Sequence, residues 1–173
     1  MNAAGAAAFS LRTATAADAA VILNFIRRLA EYEKLAHLVV ADEERLREEL
    51  FGPRAHVEVL LGFEHEQPVG FAVYFLNFST FLGRKGIWLE DLFVLPEKRG
   101  RGYGKKMLLE LGRIAFERGC GRFEWAVLDW NAPSIDFYKS LGAVALEDWT
   151  IFRVTGPALE NLARKAGKQA EGA

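Results

Sequence analysis

The stretch from Trp88 to Met107 restricts the fold of this chain more than any other. It reads as an apolar strand carrying two adjacent acids, Glu90 and Asp91, followed by a turn led by Pro96. A loop comes next in which Gly100, Gly102 and Gly104 alternate with Arg99, Arg101, Tyr103 and Lys105, and this loop opens a helix. Glycines at a helix start let backbone N–H groups approach an anion, and the helix N-terminus adds partial positive charge, so the arrangement is a phosphate cradle. The same residues also suit a plain tight turn between strand and helix. No Lys-Ser or Lys-Thr follows the last glycine, as a nucleotide P-loop requires, and the segment lies too late in the chain for the first turn of a dinucleotide fold.

Composition narrows the remaining choices. With 173 residues, 51% hydrophobic and 26% charged, the chain suits one domain with a real core, read here as 9–162 between an Ala-rich segment 1–8 and a tail 163–173 expected to be mobile. A net charge of −1 gives no reason to expect a nucleic-acid partner. The basic residues do gather at Lys98, Arg99, Arg101, Lys105 and Lys106, which suits a small polyanion, although a solvated helix end accounts equally well for the two last lysines. The lone Cys120 excludes an internal disulfide, and His37, His56 and His65 lack metal-ligand spacing, so neither a thiol nucleophile nor a metal site is expected. No run of about 18 apolar residues occurs, and a cytoplasmic protein without membrane contact is the expectation.

Hydrophobic periodicity supplies the elements. Phe9 to Thr13 alternates as a strand, and Thr15 to Asp18 marks a helix start. Ile22, Phe25, Ile26 and Leu29 then recur at helical spacing to about Lys34. The end of that helix, Glu31 to Lys34, is either a polar terminus or a place where Tyr32 and Glu33 meet an amine. Asp42 caps a second helix that buries Leu46 and Leu50 and stops at Gly52-Pro53. A hairpin spans 55–77, a strand 87–95, a helix about 102–118 and a strand 122–128. A short helix starting near Pro133 and a final strand pair around 143–146 and 150–154 complete the chain. The order predicts an α/β fold with a mixed, mostly antiparallel sheet and helices on both faces.

The loop Arg99 to Gly104 matches an Arg/Gln-x-x-Gly-x-Gly/Ala pattern. With Leu89-Glu90-Asp91 before it and Asp129 to Ala143 after it, the chain resembles the GCN5-related N-acetyltransferases (GNAT). Within that family it is most similar to the diamine (spermidine/spermine) and thialysine acetyltransferases, through Leu29 to Leu35 and the run Ala126-Val127-Leu128-Asp129-Trp130-Asn131. It departs from the polyamine enzymes at Phe81, where they carry Trp, and around Glu147 to Trp149.

The resemblance implies direct transfer of an acetyl group from acetyl-CoA to a primary amine of a small cationic acceptor, in a homodimer. Glu90 would be the base and Tyr138 the group facing the leaving thiolate. Leu92, Phe93 and Val94 would hold the acetyl carbonyl and pantetheine. Arg99, Gly100, Arg101, Gly102, Tyr103, Gly104 and Lys105 would receive the pyrophosphate, with Asn131, Ser134 and Tyr138 touching the coenzyme from the other side. Tyr32, Glu33, Glu90 and Asp91 would meet the acceptor. An ordinary ion-paired Glu90 and a buried Tyr138 with a satisfied hydroxyl remain open readings. So do a coenzyme A-binding regulatory module without catalysis and a protein-lysine acetyltransferase.

Overall fold

The structure, a computed structural model, describes residues 9–170. The Ala-rich segment 1–8 lies outside the described residues. The chain groups into two compact units, Met1–Ala126 and Val127–Ala173.

The first unit is a five-stranded sheet in the order β1-β2-β3-β4-β5. The strands are β1 (Phe9–Thr13), β2 (Val57–Glu64), β3 (Gln67–Ser79), β4 (Arg84–Val94) and β5 (Arg122–Trp125). The first three pairings are antiparallel and β4–β5 is parallel. Helices α1 (Ala19–Tyr32), α2 (Glu43–Phe51) and α3 (Tyr103–Glu117) belong to the same unit.

Alternation along the strands decides which face each helix covers. Val59 and Leu61 of β2, Phe71 and Val73 of β3 and Phe93 of β4 pack with Ile22, Phe25 and Leu29 of α1, and Leu46, Leu50 and Phe51 of α2 close the cluster. Phe25 stacks on Phe71 with ring centres 5.4 Å apart. Each such fully buried side chain contributes about 1.5–3 kcal/mol. The intervening residues face the other way. A Cβ on Gly62 would lie 3.4 Å from Met107 Sδ, which puts α3 on the opposite face.

Local hydrogen bonding fixes the turn before α1 and the start of α2. Asp18 accepts from the Thr15 N–H and from both Arg12 terminal nitrogens, and these partners hold its carboxyl well below the usual range. Asp42 accepts from the Arg45 N–H at 2.8 Å and caps α2.

The second unit contains α4 (Ala132–Ser140) and α5 (Gly156–Ala170). Two expectations fail here. Residues 143–146 and 150–154 form no strand, and β5 ends at Trp125 rather than continuing to 128. Neither run pairs with a strand among the described residues, and Val144 (83% exposed) and Phe152 (90%) stand in solvent. A helix, α5, also runs through the boundary at 162 where the apolar pattern was expected to end.

Candidate active site

The site is built on an irregularity in β4. Val73 pairs with Asp91 and Tyr74 with Leu89, so Glu90 is an extra residue that no β3 residue opposes. A regular strand sends neighbouring side chains to opposite faces. Here Asp91 shares the face of Val73, and Trp88, opposite Phe75, shares it as well. The Trp88 indole N–H donates to Glu90 at 2.9 Å, which draws Glu90 to the same side. The bulge thus places two successive carboxylates on the α1 face of the sheet.

Glu33, the residue that ends α1, completes the acidic group. Burial pushes the Glu33 carboxyl up. Burial, then the charges of Glu90 and Glu33, push Asp91 up to about 6. All three causes acting on Asp91 disfavour its charged form, and no ion pair offsets them among the described residues, an arrangement that suits a nearby cation.

Beyond the bulge, β4 pairs with no strand on its second edge among the described residues. Its parallel pairing with β5 covers only Gly86 to Leu89. The Leu95 N–H donates to Val69 O, so Leu95 and Phe93 direct their backbone towards β3, whereas Leu92 and Val94 direct theirs to the open side. Arg99 Nε donates to Val94 O at 3.0 Å, as that geometry allows. Of the three residues expected to hold pantetheine, Leu92 and Val94 therefore present open backbone. Phe93 gives its ring to the core.

The glycine loop follows. Gly100 and Gly102 have φ of +74° and +78°, and a Cβ at either would meet nothing within 4 Å. Gly102 caps α3, whose first free N–H groups belong to Tyr103, Gly104 and Lys105. This open, donor-lined turn fits a diphosphate. Lys105 is exposed beside it.

Several expected roles are shared with structural ones. Arg99 lies over the Tyr32 ring at 4.3 Å and over Phe93 at 5.5 Å, so Tyr32 is a platform for the loop's first arginine. Arg101 and Tyr103 turn inward to Glu64, together with Lys98. Sequence reasoning missed Glu64, which sat in an expected hairpin turn, and it missed Trp88. The signal available was an acid at the end of an apolar strand with three complementary residues at 98, 101 and 103.

In the second unit, Asn131 precedes α4 and is buried, and its side-chain oxygen has no partner among the described residues. Such an orphaned acceptor suits an amide N–H of a ligand. The Ser134 N–H donates to Asn131 O, the first turn of α4. Burial pushes the Tyr138 phenol up, and its ring lies 5.4 Å from that of Phe137.

Comparison with known proteins agrees with this chemistry. Residues 25–143 match the family described as "Acetyltransferase (GNAT) family". A thialysine N-epsilon-acetyltransferase of Sus scrofa is 41% identical over 166 residues, covering 90% of this chain and 97% of that protein. An L-ornithine N5-acetyltransferase of Arabidopsis thaliana is 29% identical over 195 residues, covering 87% of this chain and 86% of that protein. Among solved structures, an integron cassette protein from the mobile metagenome of V. cholerae superposes with a TM-score of 0.77 at 26% identity, covering 92% of this chain and 99% of that one.

Proposed function

The chain belongs to the GNAT acetyltransferase family, and from that premise we propose that it moves the acetyl group of acetyl-CoA directly onto a primary amine of a small cationic acceptor. The observation that carries the proposal is the bulge at Glu90, which aligns two carboxylates on one face and beyond which β4 pairs with no further strand among the described residues. Acetyl-CoA supplies an activated thioester. The Leu92 and Val94 N–H groups donate to its acyl and pantetheine portion, and the turn from Arg99 to Lys105 receives its diphosphate. Asn131 and Ser134 are further coenzyme contacts in this proposal, as the family resemblance implies.

An ammonium with a pKa near 10 attacks only after losing a proton. The Glu90–Asp91 pair accepts that proton as a unit, and Asp91, raised to about 6, is the member whose titration limits the rate on the acid side. Glu33 and the pair also hold a second positive charge on the acceptor. Tyr138, a phenol that burial pushes further up, is protonated at neutral pH, and in this reading it donates to the departing thiolate.

A thialysine- or lysine-like amine fits best, given the 41% identity to a thialysine enzyme. The chain acts as a cytoplasmic homodimer in this proposal. The exposed Val144, Leu146, Ile151 and Phe152 support the second copy, and sedimentation at micromolar concentration checks it.

Thiol release from acetyl-CoA, measured with thialysine, lysine, spermidine, putrescine and a neutral monoamine, tests the reaction. Cationic amines should be preferred, and Glu33→Gln should reduce their efficiency more than that of the neutral amine, by about tenfold for a charge-assisted contact. Coenzyme binding without thiol release would leave a regulatory module instead, and release only with a lysine-bearing protein would move the acceptor to protein lysines.

A further inference from the structure

We infer that Glu64, the last residue of β2, is the positioning residue of the diphosphate loop. Its carboxylate ties together Lys98, Arg101 and Tyr103 and so keeps Gly100 and Gly102 open to an anion. The inference rests on the reading of that loop as the acetyl-CoA diphosphate site.

Glu64 is only 7% exposed. Its partners come from one short span of chain. Lys98 Nζ and Tyr103 Oη donate to it, and Arg101 NH1 donates at 2.7 Å. These three attachments alternate with the two glycines at positive φ, the positions where the backbone has most freedom to lose on becoming ordered. A six-residue loop tied at its beginning, middle and end to one buried group keeps a single shape. The last attachment is itself held in place: the Tyr103 ring stacks on Phe9 at 4.3 Å and 10°, and Lys106 Nζ lies over both rings.

The same contacts explain how the loop can carry three cations and still fold before a ligand arrives. A buried carboxylate with charged and hydroxyl donors is satisfied, whereas removing it would leave Lys98, whose side chain is 26% exposed, short of a counter-charge. Arg101 gives NH1 to Glu64 while half of its side chain stays exposed, so the guanidinium bridges the anchor and the solvent side of the loop. Arg99 is fastened separately, to Val94 O and Tyr32. Glu64 therefore shapes the turn through Lys98, Arg101 and Tyr103.

The test compares two acetyl donors in wild type, Glu64→Gln and Tyr103→Phe. One is acetyl-CoA; the other is S-acetyl-pantetheine, which lacks the diphosphate and the nucleotide. Glu64→Gln should reduce the preference for acetyl-CoA, the ratio of the two kcat/KM values, by about tenfold, mostly through KM. Tyr103→Phe, which removes one attachment of three, should reduce it less. A purely structural role would lower both efficiencies together and leave the ratio unchanged, and that result would overturn the inference. Tighter acetyl-CoA binding by Glu64→Gln would overturn it too, because Glu64 would then be a competitor for the loop cations. Should Glu64→Gln fail to fold, Tyr103→Phe with an unchanged ratio has the same force. A wild type that shows no preference for acetyl-CoA removes the diphosphate reading itself, and the inference falls with it; a wild-type preference that survives in both variants overturns the role of Glu64 alone.

Discussion

Replacing Asp91 by Asn should stabilise the folded chain at neutral pH while it removes activity. Asp91 lies among Glu33, Glu90 and apolar neighbours, and its carboxyl rises from 3.8 to about 6. A difference of that size between folded and unfolded chains is worth about 3 kcal/mol. The sign follows from proton counting. Between 3.8 and about 6 the folded chain keeps a proton on Asp91 that the unfolded chain has released, so stability falls as pH rises through that window and stays lower above it. Asn carries no charge at any of these values. The variant should therefore be more stable than wild type above pH ~6.5, by up to about 3 kcal/mol, and the advantage should vanish below pH ~4, where wild-type Asp91 is neutral in both states.

Urea unfolding of both proteins at several pH values between about 4 and 8, without coenzyme or amine, measures this directly. In a thermal scan each kcal/mol corresponds to roughly 2–4 °C for a chain of this size. A stability difference that is the same at both ends of the pH range, or an Asn variant that is weaker at the alkaline end, would refute the electrostatic account. In separate assays with both substrates, kcat/KM should fall by about 100-fold or more for Asp91→Asn, the usual worth of a positioned proton acceptor, and the acid limb near pH 6 should disappear. Glu90→Gln should shift that limb to lower pH, because one of the charges that raises Asp91 is gone.

Gly102→Val forces a β-branched residue into φ +78° at the α3 cap, a strain of about 1–3 kcal/mol, and calorimetry should show weaker acetyl-CoA binding; wild-type affinity would separate the loop from the coenzyme. Tyr138→Phe should lower kcat more than it raises KM for acetyl-CoA, since a thiolate develops only along the reaction, and an unchanged kcat would remove Tyr138 from proton transfer. Asp42→Ala removes the acceptor of the Arg45 N–H and should cost about 1 kcal/mol in urea unfolding with no change in either KM.

The features legible in the sequence are those set by neighbours along the chain. Asp42 at a helix start, the alternation of Val57, Val59 and Leu61, and the glycines after a strand each carry their own local physics, and the structure has all three. The features that escaped depend on partners distant in sequence. A strand forms only when a second backbone lies beside it, so the alternation at 143–146 and 150–154 could not say whether one did. The bulge has a signal in the residues themselves. Two adjacent acids in a strand with buried flanks at Leu89 and Phe93 would force one carboxylate into an apolar face if the strand were regular. An extra residue resolves the conflict, because it turns both acids to one side and accepts the repulsion between them as the lesser cost. That repulsion adds to the burial that raises Asp91, and a cationic amine would relieve it, so the backbone irregularity and part of the Asp91 shift trace to the same pair of residues.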